Sequence, residues 1–167
     1  MGTIEDIAGR HSTRAYTSQP VPPDVLRQIA IAGLQAPSAM NHQPWRIVVV
    51  TGPDKLALLD AAGGGNNAYT YGAPAAMLVA MPVDADPWGA IDAGILVENM
   101  ALAATALGVQ SCIAGMPVTS LKGPDGAARA AELGVPEGYQ AVISLLLGYG
   151  AQGGQGHAID HSKVIGL

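Results

Sequence analysis

The sequence predicts an α+β fold of three layers, with helices on both faces of one central sheet, over residues 1–167 as a single domain. Two observations carry this. Apolar runs of strand length alternate with segments of helical character, and nothing in the composition marks an internal repeat or a dividing linker. An even alternation would favour a parallel sheet, but here two helical segments precede the first strand and a glycine-rich tail follows the last.

Thr3-Ile-Glu-Asp6 reads as a helix start, a capping hydroxyl followed three residues on by an acid, and Gly9 limits that helix to about two turns. Pro22-Pro23-Asp24 opens a second helix, with Val25, Ile29, Ala32 and Leu34 on its apolar side and Pro37 as its stop. Residues 38–45 form a loop, and Arg46 to Thr51 a buried-type strand. Gly52-Pro53 begins a short helix to Ala62, Gly63 to Asn67 is a loop, and Ala75 to Met81 is a second buried strand. Asp86-Pro87 caps a long helix from Trp88 to Leu107, ended by Gly108. Its small residues Ala90, Ala93, Gly94, Ala101, Ala103 and Ala104 would let another helix approach closely. A strand over 109–114, a helix over 124–133 and a strand from Gln140 to Leu147 follow. The tail from Gly150 to Gly156 reads as extended.

Charged residues make up 13% of the chain, about half the usual ~25%, and 49% of it is hydrophobic. A compact monomer of this mass exposes roughly 7,700 Å², so sparse charge on a surface of that size implies that part of it is hidden in a subunit interface. The net charge of −5 argues against a nucleic-acid grip. The first residues carry acids where a signal peptide carries bases, and no apolar run approaches ~20 residues. Cys112 is the only cysteine, and no paired His or Cys spacing suggests a metal site. The expectation is a cytoplasmic protein with no membrane, metal or nucleic-acid partner.

Two constellations carry chemistry. Arg10-His-Ser-Thr-Arg14 places two of the chain's five arginines beside an imidazole and two hydroxyls. Arginine forks and hydroxyls suit a phosphate, although such a stretch alone also reads as a polar surface turn. Pro37-Ser-Ala-Met-Asn-His-Gln-Pro-Trp45 brackets Ser38, Asn41 and Gln43 between prolines. These neutral donors and acceptors suit a planar heterocycle, and equally an ordinary helix-to-strand connection. Cys112 reads as a small buried hydrophobe, His42 as a loop-surface histidine, and Trp45 as an anchor into the core. Asp92 and Glu98 are six apart on their helix and so form no catalytic carboxylate pair.

Together, R-x-S-x-R-x-Y and A-P-S-x-x-N-x-Q-P-W leading into a Val-rich strand resemble the FMN-dependent nitroreductase family. Gly72-Ala-Pro-Ala75, Asp92-Ala-Gly94, Leu107 to Cys112 and Leu147-Gly-Tyr149 extend the resemblance along nearly the whole chain. It implies a nitroreductase-like sandwich with a mostly antiparallel sheet, an obligate homodimer with an extended C-terminal tail, and FMN sites at the subunit interface. Arg10, His11, Ser12 and Arg14 would hold the FMN phosphate and ribityl chain. Pro37, Ser38, Ala39 and Asn41 would reach the flavin of the other subunit. Asn66 or Asn67, here assigned as Asn67, would meet the pyrimidine edge, and the Ile113-Ala114-Gly115 backbone would face flavin N5.

The implied reaction is hydride transfer from NADH or NADPH to FMN, then electron transfer to a nitroaromatic, a quinone or a related small oxidant. A non-catalytic FMN-sequestering protein is the alternative, with reductive dehalogenation or flavin fragmentation behind it. Two departures from the family pattern stand out. The tail offers His157, His161 and Lys163 but no arginine; His157 is the residue expected at the phosphate, with His161 and Lys163 expected in solvent or at the dimer surface. Only six residues separate Met81 from Trp88, where larger members insert a cover, so the flavin site should be open.

Overall fold

A computed structural model of the chain describes residues 2–154 and 156–166. Ten elements follow in order: α1 (Thr3–Gly9), α2 (Pro23–Leu34), β1 (Arg46–Thr51), α3 (Pro53–Asp60), β2 (Ala75–Pro82), α4 (Gly89–Ala106), β3 (Gln110–Ala114), α5 (Met116–Thr119), α6 (Gly126–Leu133) and β4 (Tyr139–Gly148). The four strands make one sheet of order β1-β2-β4-β3, and every neighbouring pair is antiparallel. The register sets Val48 opposite Leu78, Leu78 opposite Ser144, and Cys112 opposite Leu146.

Both faces of the sheet are covered, so strand residues of either parity are apolar. Ala75, Met77, Val79 and Met81 of β2 pack with Leu145 and Leu147 against α2 and α4. The intervening Ala76, Leu78 and Ala80 pack with Leu146 and Cys112 against Leu59, Val118 and Leu133 from α3, α5 and α6. This is the three-layer α+β sandwich that the sequence predicts. Trp45 is buried in the α2–α4 layer, and Cys112 is buried in the opposite one.

Four local expectations need correction. Thr3 is inside α1 rather than capping it: the cap position is Gly2, which has no side chain to offer, and no side chain replaces it. In α2 the inward residues are Leu26, Ile29 and Gly33, while Leu34 faces out, because Gly33 and not Leu34 lies against Met100 of α4. The small residues of α4 do not share a face. Ala93, Ala101 and Ala104 point into the core with Leu96, Val97 and Met100, leaving Gly94, Ile91 and Ile95 outside. A helix that is apolar all round hides its inward face from periodicity. The single turn α5 is also absent from the sequence reading, since four residues carry no period.

Gly108 ends α4 at φ +74°, the left-handed conformation that favours glycine. The stretch between α1 and α2 is stitched to the sheet. Ser12 bridges Ser111 in parallel along the free edge of β3, with Thr13 N–H donating to the Ser111 carbonyl at 2.9 Å. Thr17 N–H then donates to Tyr149, and Ala151 N–H to Ala15, so the chain just beyond β4 is held beside residues 12–17. No helix among the described residues is long and apolar enough to cross a membrane.

Candidate functional site

The free edge of β3 places the arginine-rich stretch. Residues 12–16 run extended there, so alternate side chains share a side. Ser12 lies within hydrogen-bonding reach of the Cys112 thiol, and Arg14 and Arg10 lie close enough to act on it electrostatically. Burial pushes that thiol's pKa up, against the opposing pull of Arg14, a hydrogen bond from Ser12, and Arg10. The structure therefore gathers Arg10, Ser12 and Arg14 at one place. Arg10 Nε lies 3.5 Å from Glu98 Oε1 of α4, and the carboxylate is half exposed. A pair of that kind contributes about 0–1 kcal/mol, so it orients Arg10 without consuming it.

Tyr16 ends the same stretch. Its hydroxyl is buried with no partner among the described residues, and burial, then the nearby Cys112, raises its pKa far above the phenol range. Its ring also explains the glycine of Leu147-Gly-Tyr149. A Cβ on Gly148 would meet Pro74 Cδ at 2.6 Å and Tyr16 Cδ1 at 2.8 Å, two rings that cannot yield. His11 has Nδ1 3.0 Å from the Gly9 carbonyl oxygen and its ring against Gly154 of the tail.

At the far end of β3, the Ala114 carbonyl accepts the Ser144 hydroxyl at 2.6 Å, which fixes the strand where it turns into α5. The next residue, Gly115, has nothing within 4 Å of where a Cβ would sit. The backbone is open there to a flat ligand.

The Pro37–Asn41 loop is held elsewhere, at the first turns of α4. Asp92, buried, accepts Ala39 N–H at 3.0 Å. Ser38 Oγ accepts Gln43 N–H at 2.9 Å, and Asn41 Oδ1 accepts from Gln43 Nε2 at 2.7 Å. These bonds support left-handed backbone at Met40, Asn41 and Gln43, with φ of 49°, 57° and 47°. The Ser38 hydroxyl proton and the Asn41 Nδ2 donors are left to face outward. Asp92 and Glu98 are six residues apart, about 9 Å of helix rise, and no hydrogen bond or ion pair joins this loop to the arginine cluster among the described residues.

Asn66 and Asn67 sit at φ 57° and 59° in the loop between α3 and β2. Asp60 builds that loop: its buried carboxylate accepts Tyr69 N–H (2.7 Å), Thr70 N–H (3.0 Å) and the Thr70 hydroxyl (2.6 Å). Both asparagines line a cavity of about 490 Å³ beside Ser18, Pro20 and Pro74, separate from the cavity of about 210 Å³ at Ser12–Ala15. His157 is exposed and makes no hydrogen bond among the described residues.

Asp60, Asp92, Glu98 and Tyr16 are the residues that sequence reasoning gave no part in the site. Asp60 did leave a signal, because a carboxylate at a helix C-terminus opposes the helix dipole and calls for another partner. Asp92 left none, since an acid in a first turn is ordinary. Among the described residues no group of His, Cys, Asp and Glu could hold a metal ion.

The profile of the nitroreductase family matches residues 7–69 and 54–149. An NADPH-flavin oxidoreductase of Vibrio harveyi is 31% identical over 163 residues, 88% of this chain and 65% of that protein. An NADH dehydrogenase of Thermus thermophilus is 49% identical over 71 residues, 42% of this chain and 34% of that protein. The chain thus spans between a third and two thirds of the length of these curated relatives. A crystal structure of a nitroreductase with bound FMN from Desulfitobacterium hafniense matches with a TM-score of 0.89 at 30% identity, covering 100% of this chain and 99% of that one.

Proposed function

The chain belongs to the nitroreductase family, and from that premise we propose that it is an FMN-dependent NAD(P)H oxidoreductase, active as a cytoplasmic homodimer in which residues 1–167 form one flavin-binding domain. The gathering of Arg10, Ser12 and Arg14 at the edge of β3, a few residues before the open backbone at Gly115, carries this reading. The residues present fit the cofactor. Two guanidiniums and a hydroxyl match a phosphomonoester, and the backbone at Gly115 has no side chain within 4 Å of its Cβ position to block close approach of a ring.

Arg10, His11, Ser12 and Arg14 hold the phosphate and ribityl chain, and Asn67 offers its amide to the pyrimidine edge. The Ala114 and Gly115 backbone orients the ring, and His157 is the basic residue of the tail proposed to meet the phosphate. Pro37, Ser38, Ala39 and Asn41 of a second copy complete the site, which is consistent with a loop that no hydrogen bond or ion pair joins to the arginine cluster of its own chain among the described residues. Exposed Ile91 and Ile95 on α4, and exposed Ile159, Val164 and Ile165 in the tail, are the surfaces that association would cover. When bound, FMN supplies a ring that accepts hydride from NADH or NADPH and returns electrons to a nitroaromatic, a quinone or a related oxidant. The chain's own part is to bind and orient, so the site needs no acid–base side chain.

Stopped-flow mixing of the flavin-loaded protein with NADH and NADPH tests the reading. Rapid bleaching of the flavin, followed by reoxidation with a quinone or nitroarene, is expected. A flavin that stays oxidised would identify a sequestering protein instead. In Arg10→Ala/Arg14→Ala, two lost charge-assisted contacts at about 1.5–3 kcal/mol each should leave the purified protein colourless.

A further inference from the structure

The chain beyond β4 does more than leave the sheet. Ala151 N–H donates to the Ala15 carbonyl, and Gly150 N–H to Gln110 Oε1 at 3.0 Å, which brings Gln152, Gly153 and Gly154 across from Ser12–Ala15. The two stretches enclose a cavity of about 210 Å³. Ser12, Thr13, Arg14 and Ala15 line one side of it, and the buried hydroxyl of Thr13 has no partner among the described residues. The N–H groups of Gln152, Gly153 and Gly154 are also unspent among the described residues. A pocket with one cation, hydroxyls and free backbone amides, and with no carboxylate in its lining, suits an oxyanion.

Gly154 holds this arrangement in place. It lies directly on the His11 ring, where a Cβ would overlap the imidazole, and the His11 ring is itself held by the Gly9 carbonyl. Two residues on, Gly156 passes over the Ala8 carbonyl, where a Cβ would come within 3.2 Å. The tail is therefore laid along the end of α1 as a strap whose tightest contact is at Gly154.

We propose that Gln152–Gly154 is a wall of the phosphate cradle, contributing backbone N–H donors where this tail has no arginine, and that Gly154, seated on His11, is the positioning residue that keeps it closed. The inference rests on the flavoenzyme reading for the identity of the phosphate, and on the geometry alone for the strap. It adds a discrimination: the strap serves the phosphate end of a ligand and leaves the ring end untouched.

Apo parent and Gly154→Ala proteins are titrated with FMN and with riboflavin, which lacks the phosphate, and binding is read from flavin fluorescence. Amide exchange over 150–154 is followed with and without inorganic phosphate. Gly154 is exposed, so the substitution spares the core. Gly154→Ala should weaken FMN about tenfold, the equivalent of one hydrogen bond to a charged group, and change riboflavin less than about twofold. Inorganic phosphate should slow exchange over 152–154 in the parent and not in the variant. In a His11→Ala background, where the ring is gone, the same glycine substitution should cost much less.

Equal losses for the two flavins, no loss at all, or no protection by phosphate would overturn the strap. If the parent binds neither flavin yet phosphate protects 152–154, the flavoenzyme reading fails and the strap stands. If FMN binds parent and variant alike, the strap alone fails.

Discussion

Tyr16 and Cys112 belong to the same packed layer as Leu59, Val118 and Leu133, and burial raises the pKa of both, that of the phenol far above its ordinary range. The Tyr16 hydroxyl gains nothing from its position, since a buried polar group without a partner costs about 1–3 kcal/mol. Tyr16→Phe should therefore raise the stability of the apo protein by about 1 kcal/mol in urea titrations, and a loss would show that the hydroxyl has a partner. The linkage sign follows from the raised values. The folded state keeps these protons at pH values where the unfolded chain loses them, so the contribution is whole below about 8.5 for the thiol and about 10 for the phenol and declines above. Urea midpoints should fall as pH rises through that range, and the fall should be shallower in Cys112→Ala/Tyr16→Phe.

At the scale of elements, α4 carries most of the organisation. Its inward face is built of Ala93, Leu96, Val97, Met100, Ala101 and Ala104, and α2 meets it through Gly33. A Cβ there would lie 2.6 Å from Met100 Cγ. Alanine would gain about 1 kcal/mol of helix propensity over glycine, but overpacking costs about 1–3 kcal/mol. Gly33→Ala should thus destabilise by about 1 kcal/mol, measured by urea unfolding, with Met100→Ala in the same chain relieving the clash. α4 also fixes Ala39 through Asp92 and orients Arg10 through Glu98, so one helix sets both the loop proposed to reach a second copy and the proposed phosphate cradle. The strands and the long helix were legible because their apolar runs and their bounding prolines and glycines are local. Which side of α4 faces inward was not, because Ile91 and Ala93 are equally acceptable in a core, and only their neighbours decide.

The molecule as a whole exposes 9277 Å², against the roughly 7,700 Å² of a compact monomer of its mass. Part of the excess is apolar: Ile159 is 80% and Ile165 is 95% exposed in the tail, and Ile91 is 54% exposed on α4. Low overall charge and this surface support the proposed homodimer. Ile95→Lys, which sets a charge on the outer face of α4, should convert the protein to a monomer in sedimentation velocity and weaken flavin retention in parallel. A dimer of parental stability that keeps its flavin would place the interface elsewhere.

The sequence by itself determined the layering and the order of the strands and of the helices longer than one turn, and it singled out the two stretches, Arg10–Arg14 and Pro37–Asn41, of the proposed site, because these depend on residues near one another in the chain. The tertiary structure decided that Asp92 holds Ala39 from 53 residues away, that Asp60 builds the asparagine loop, and that Gly154 rests on His11. A buried carboxylate or a close-packed glycine takes its meaning from the partner that desolvates it or touches it, and that partner is set by how distant segments pack.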